Sequence, residues 1–169
     1  PVRWLIPGLL PAGLSLLAGA SKAGKSWLCL WLCLQLAQGS EIWHRPTQPQ
    51  TVLYLCLEDT LAGIQTRLFR LTGDVVPSRL YCQTQCGCIG EGLELQIEKF
   101  LFRHPETGLV VIDTLQKVRP AESNTSAYAG DYQDMSALKT LADSHNIALL
   151  LVHHLRKQGA VDPFQQISG

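Results

Sequence analysis

The stretch Gly19-Ala20-Ser21-Lys22-Ala23-Gly24-Lys25-Ser26 decides the reading of this chain. It satisfies every fixed position of the phosphate-binding pattern G-x-x-x-x-G-K-[ST]. An apolar strand candidate, Leu14 to Ala18, runs into it, and a helical run from about Lys25 to Ala37 leaves it. A triphosphate needs several hydrogen-bond donors converging on it. Gly19 and Gly24 let the backbone bend so that consecutive N–H groups point inward, and the helix start adds the positive end of its dipole. The expected cradle comprises Gly19, Ala20, Ser21, Lys22, Ala23, Gly24, Lys25 and Ser26, with Trp27 next in line. Lys25 can reach the β- and γ-phosphates, and the Ser26 hydroxyl can ligate Mg²⁺. A chance glycine-rich turn is the bland alternative, but strand, helix and the Lys-Ser pair argue against it. The expected ligands are ATP and Mg²⁺.

The rest of the composition sets bounds. At 169 residues the chain is one domain's worth, so residues 1–169 are expected to form a single unit with a real core. Apolar residues make up 46% and charged ones 17%, a globular composition. The formal net charge is zero, so no overall basic field argues for nucleic acid, although a groove can bind DNA through local charge alone. The longest apolar run, Trp27 to Leu34, is too short to cross a bilayer. No membrane partner is expected, no signal peptide is visible, and a cytoplasmic location follows as the expectation. The start at Pro1 and the end at Ile167-Ser168-Gly169 read as a domain cut from a longer protein.

Six cysteines need placing. Cys29 and Cys33, four apart on a helix, and Cys56, inside a strand, read as small core residues. Cys82, Cys86 and Cys88 cluster near a turn, where structural thiols compete with a metal or redox site.

Along the chain, Pro1 to Gly13 reads as an extended lead-in rather than a regular element. The helix after the loop is apolar on nearly every side, so it is deeply buried or covers an interface. Thr51 to Leu57, Leu109 to Ile112 and Ile147 to Val152 are uninterrupted apolar or β-branched runs, the mark of strands buried on both faces. Arg79 to Cys82 is a shorter strand candidate. Leu61, Ile64, Leu68 and Leu71 repeat at helical spacing up to Gly73, and Leu93, Ile97, Phe100 and Leu101 mark another helix. Tyr128, Tyr132, Met135, Leu138 and Ala142 stripe a further one, after a polar stretch from Gln116 to Ala127 that reads as a mobile loop. Strands alternating with helices predict an α/β fold with a mostly parallel central sheet flanked by helices.

In such sheets ligands bind at the carboxyl ends of the strands. Asp113 follows Leu109-Val110-Val111-Ile112, the second signature of phosphate-loop nucleoside triphosphatases, where the carboxylate holds Mg²⁺. Glu58 ends the strand after the loop helix and suits the activation of a water. It also fits as a helix N-terminal charge, although Asp59 or Thr60 can do the capping. His153 and His154 end the last strand. Neighbours on a strand point to opposite faces, so at most one looks at the nucleotide.

Taken together these segments resemble the RecA-like ATPase core, and within it the RepA-type hexameric replicative helicases, AAA-type ATPases of bacteria, plasmids and phages. The resemblance spans nearly the whole chain. It rests on Pro11-Ala12-Gly13, the loop Gly19 to Ser26, Tyr54-Leu55-Cys56-Leu57-Glu58-Asp59, Val110-Val111-Ile112-Asp113-Thr114-Leu115 and His153-His154-Leu155-Arg156-Lys157. It implies a water-activating role for Glu58, phosphate binding by Lys25 and Mg²⁺ ligation by Ser26 and Asp113. It also implies a γ-phosphate sensor at His154, beside His153. Arg67 sits where the family commonly has an arginine, and a solvated helix face explains it equally well. The family continues with further strands that complete the sheet and an arginine finger for the adjacent subunit, both expected beyond residue 169.

The resulting expectation is an ATP-hydrolysing motor: a hexameric DNA helicase acting on single-stranded DNA in replication of a plasmid, phage or mobile element. Lys117, Arg119, Arg156 and Lys157 are its candidate phosphate contacts, with Tyr128 and Phe164 the aromatic residues nearby. The alternative is a RecA-like regulatory ATPase in repair or recombination without unwinding activity. A small-molecule kinase is the outside reading, weakened by the lack of an Arg-rich lid.

Overall fold

Three segments carry no charged side chain before their last residues: Thr51–Cys56, Thr107–Asp113 and Ala148–Leu155. Only a sheet covered on both faces can bury such segments without stranding a charge. The computed structural model describes residues 1–121 and 127–155, with side chains at 127–129 and 131 left aside. Its strands are β1 (Trp4–Ile6), β2 (Leu10–Pro11), β3 (Gly13–Ala20), β4 (Thr51–Cys56), β5 (Leu80–Gln83), β6 (Thr107–Asp113) and β7 (Ala148–Leu155). Its helices are α1 (Lys25–Gln38), α2 (Leu61–Thr72), α3 (Leu93–Arg103), α4 (Leu115–Val118) and α5 (Ala127–His145).

Five strands form one sheet in the order β3-β7-β6-β4-β5, and every neighbouring pair is parallel. The expected α/β architecture is therefore present, with a wholly parallel sheet among the described residues. Alternation along the strands sorts their side chains into two layers. Val52, Tyr54, Val111, Leu150 and Val152 face α1 and α2, where they meet Leu30, Cys33, Ile64 and Leu68. Leu53, Leu55, Val110, Ile112, Leu149 and Leu151 face the other way, onto Leu93, Ile97, Leu138 and Leu141 of α3 and α5.

Several boundaries differ from the sequence expectation. The lead-in is a small antiparallel hairpin, β1 with β2, and not an irregular segment. Ile6 and Leu10 are buried in it, and the turn between them closes through Leu9 N–H to the Ile6 carbonyl at 3.0 Å. The stretch expected to be a loop from Gln116 holds the short helix α4, while residues 122–126 lie outside the described set. In α5 the stripe is shifted: Leu138, Leu141 and Ala142 are buried, whereas Tyr132 is 71% exposed. Likewise Leu61 of α2 is exposed, and only Ile64 and Leu68 of its stripe are buried. Propensity and spacing locate a helix, but the packed face is set by where the sheet lies.

The all-round apolar character of α1 has a local cause. Cys29, Leu30, Cys33, Leu34 and Leu36 are buried, and on another side Trp31 lies against Trp43, ring centroids 5.4 Å apart. The helix ends at Gly39, whose φ of 69° suits glycine and whose N–H closes onto the Leu36 carbonyl.

Candidate functional site

The sheet order determines the site. β7 lies between the loop-bearing strand β3 and the Asp113-bearing strand β6, so the two acidic strand ends and the histidines meet along one edge. Register completes the placement: Gly19 is opposite His154, and Cys56 is opposite Asp113. Parity decides the faces. Val111 and Val152 point toward α1, so Asp113 and His154, two residues on, point toward the start of α1. His153 falls on the opposite face, where its Nδ1 is 3.2 Å from the Gln116 side-chain nitrogen. Of the two histidines, His154 is thus the one at the phosphate loop.

Within the loop, Lys22 (φ 61°) and Gly24 (φ 89°) carry the left-handed bends. Gly19 stays inside β3, so it does not supply the bend assigned to it from sequence. No side chain caps α1, which keeps its first N–H groups open to an anion. Lys25 is 7% exposed and turns back over the loop, its Nζ donating to the Gly19 carbonyl at 2.8 Å and to the Ala20 carbonyl. A phosphate reaching this lysine exchanges those neutral carbonyls for a full negative charge, which favours the exchange.

Ser26 and Asp113 are held together. The Ser26 hydroxyl donates to Asp113 Oδ2 at 2.7 Å, and so does the Tyr54 hydroxyl at 2.7 Å. The other carboxylate oxygen, Oδ1, is buried with no hydrogen-bond partner among the described residues. A buried carboxylate oxygen without a donor is costly, and a hard cation with oxygen ligands answers that cost. The donor set present therefore fits Mg²⁺. Among the described residues, Glu58, Asp113 and His154 also form a group whose ligand atoms lie within 4.8 Å of one another.

Glu58 is not a helix cap. Thr60 caps α2, its Oγ1 accepting from Gly63 N–H at 3.0 Å, while Asp59 Oδ1 accepts from Thr60 N–H at 2.8 Å. This leaves the Glu58 carboxylate to the site. Its Oε1 accepts from the Thr114 hydroxyl at 3.2 Å, and its Oε2 lies 3.1 Å from His154 Nε2.

Two residues join that sequence reasoning placed weakly or missed. Arg67 is no solvated face: its guanidinium pairs with Asp59 at 3.1 Å and its Cζ lies 5.3 Å from the centre of the Trp27 ring. It borders a cavity of about 130 Å³ with Ser26, Glu58 and Asp113, and an adjoining one of about 320 Å³ with Lys22, Trp27 and His154. Tyr54 carries no signal of its own role in the sequence, although its spacing from Cys56 and Glu58 puts it on the α1-facing side. Burial first, and then the Asp113 charge, push its phenol far above the ordinary tyrosine range.

The thiols separate by depth. Burial, then the neighbouring Asp113 charge, push the Cys29 thiol up to about 12. Burial raises Cys33 as well. Cys56 is raised by its contact with Cys82 first and by burial second, and its Sγ donates to the Gln83 carbonyl at 3.2 Å. Cys86, raised to about 11 by burial, lies near Cys88. Among the described residues none of Cys82, Cys86 and Cys88 enters a group of three metal-capable side chains. Of the basic residues, Arg119 pairs with Asp134 at 3.9 Å and Lys117 borders a cleft with Leu57 and Gln85. Arg156, Lys157 and Phe164 lie outside the described residues, as does the side chain of Tyr128. No described helix is long and apolar enough to cross a membrane.

Comparison with known proteins agrees with this geometry. A family model described as an AAA domain matches residues 1–160. The DNA repair protein RadA of Streptococcus pneumoniae (strain ATCC BAA-255 / R6) is 28% identical over 162 residues, covering 94% of this chain and 34% of that protein. RadA of Streptococcus pyogenes serotype M1 is 30% identical over 162 residues, covering 94% and 31%. The chain thus spans about a third of the length of these curated relatives. A solved structure titled as a DnaB-like replicative helicase and its interactions with primase superposes with a TM-score of 0.66 at 16% identity, over 87% of this chain and 40% of that one. The chain belongs to the AAA domain family, and its fold is like that of the solved replicative helicase.

Proposed function

We propose that this domain hydrolyses ATP with Glu58 as the water-activating base and drives a DNA-dependent motor. The observation that carries the reading is the Glu58 carboxylate, free of capping and hydrogen-bonded to His154, beside the Ser26–Asp113 pair. Lys25 and the loop from Gly19 to Ser26, with Trp27 at its end, bind the triphosphate. Ser26 and Asp113 hold Mg²⁺, which screens the triphosphate charge when bound. The water oxygen forms a bond to the γ-phosphorus while its proton passes to Glu58. The bond from that phosphorus to the β,γ-bridging oxygen breaks, and the electron pair leaves on ADP. His154 responds to the γ-phosphate in this reading, which its hydrogen bond to Glu58 and its register opposite Gly19 support.

The finer role is a helicase acting on single-stranded DNA as a hexameric ring, in replication of a plasmid, phage or mobile element. Likeness to a replicative helicase over 87% of the chain supports it. A second reading, a RecA-like ATPase in repair or recombination without unwinding, is favoured by the RadA relatives at 28–30% identity. Turnover of ATP by the full-length protein, with and without single-stranded DNA and beside Glu58→Gln, tests both. The motor predicts stimulation by DNA that vanishes in the variant while nucleotide binding persists. Turnover surviving in Glu58→Gln refutes the base assignment, and DNA-stimulated turnover without strand separation favours the repair reading.

A further inference from the structure

We infer that Thr114 is a positioning residue that fixes the Glu58 carboxylate for attack, an inference that rests on the reading of Glu58 as the base. Thr114 occupies the N-cap position of α4. A threonine there ordinarily turns its hydroxyl oxygen to accept from an N–H of the first turn, a bond worth about 1 kcal/mol. Thr114 does not: α4 has no side-chain cap, and the Lys117 N–H is met by the Thr114 backbone carbonyl at 3.0 Å. The hydroxyl donates to Glu58 Oε1 instead, across the β4–β6 pair.

Thr60 is the internal comparison. It is the same residue type at the same position of α2, and it caps its helix. One threonine serves its helix and the other is turned into the site. A departure from the local rule without a local gain marks a functional constraint.

The environment makes the contact a firm one. Thr114 is fully buried, so its hydroxyl has no solvent to turn to, and a β-branched side chain has few rotamers. The Glu58 side chain is 40% exposed and would otherwise sample several. With Thr114 on Oε1 and His154 on Oε2, the carboxylate is held at both ends. Thr114 directly follows the last residue of β6 and holds its oxygen while His154 answers to the nucleotide. The threonine gives up no proton: in the step above the water proton goes to Glu58 and the Thr114 O–H bond stays intact.

The test uses Thr114→Val, which keeps the shape and removes the donor, with Thr114→Ser as the conservative variant, in the full-length protein with Mg-ATP. Loss of base positioning lowers kcat about 10- to 100-fold. KM, and the affinity for a fluorescent non-hydrolysable ATP analogue, stay within about twofold because the triphosphate contacts are untouched. Thr114→Ser regains wild-type kcat. In a Glu58→Gln background Thr114→Val causes no further loss, since residues acting through one group are not additive. Wild-type kcat in Thr114→Val, a serine variant as slow as the valine one, or an undiminished loss in the Glu58→Gln background each overturns the inference. If the valine variant fails to fold, Thr114→Ala beside Thr114→Ser carries the same comparison. An active Glu58→Gln enzyme removes the base reading and this inference with it. An inactive Glu58→Gln beside a normal Thr114→Val removes this inference alone.

Discussion

Replacing Tyr54 by phenylalanine isolates one atom of the site. The ring is 1% exposed and its hydroxyl is one of two donors to Asp113 Oδ2, at 2.7 Å. Phenylalanine fills the same space, so the change removes a hydrogen bond and creates almost no cavity. A hydrogen bond to a charged group is worth about 1.5–3 kcal/mol, and a chain of this size loses about 2–4 °C of Tm per kcal/mol. Thermal unfolding of Tyr54→Phe without nucleotide is therefore expected about 3–12 °C lower at neutral pH. The same phenol supplies a second readout. Its folded pKa is raised by burial and by Asp113, whereas in the unfolded chain it ionises near about 10. The unfolded state thus sheds its proton first. Stability from this group is complete below about pH 10 and is lost as pH rises above it. Tyr54→Phe is expected to lose stability more gently than wild type above that pH, from a lower starting point. A Tm within 1 °C or so of wild type would show that the 2.7 Å contact holds nothing together. An unchanged alkaline slope would show that the phenol is not kept neutral by its surroundings.

Lys25→Ala removes the ammonium folded back over the phosphate loop, and turnover is expected to fall at least about 100-fold; near-normal turnover refutes the phosphate-binding assignment. His154→Ala is expected to keep nucleotide affinity within about threefold while hydrolysis loses its response to single-stranded DNA. An unchanged DNA response ends the sensor reading. Cys29, Cys33 and Cys56 are buried with raised pKa values, and the thiolate is the reactive form. Iodoacetamide at pH 8 is expected to leave these three unlabelled in the folded protein and to label them after unfolding, as peptide mass spectrometry would read. Rapid labelling of Cys29 in the native state would contradict its burial beneath the site.

How far the sequence discloses such a site depends on whether the information is local. The phosphate loop is local: strand, glycines, Lys25 and Ser26 are consecutive, and the structure places them as their order implies. Asp113 and His154 are half-local. Apolar runs mark their strands, and two-residue periodicity assigns the side chains to faces, but only once one residue's facing is known. Sheet order supplies that, and no short stretch of sequence states that β7 lies between β3 and β6. Tyr54, Arg67 and Thr114 are not local in any sense. Tyr54 reads as one more apolar residue of a buried strand until Asp113 is seen beside its hydroxyl. Arg67 reads as the polar side of a helix until Asp59 and the Trp27 ring hold it in the cleft. Thr114 reads as a small polar residue leading into an expected loop, until α4 opens after it and its hydroxyl is seen on Glu58, where Thr60 instead caps its own helix. Each miss has the same physical form. A polar side chain with a common structural use has been taken from it by a partner brought close through the fold, and that exchange marks where the site extends beyond its motifs.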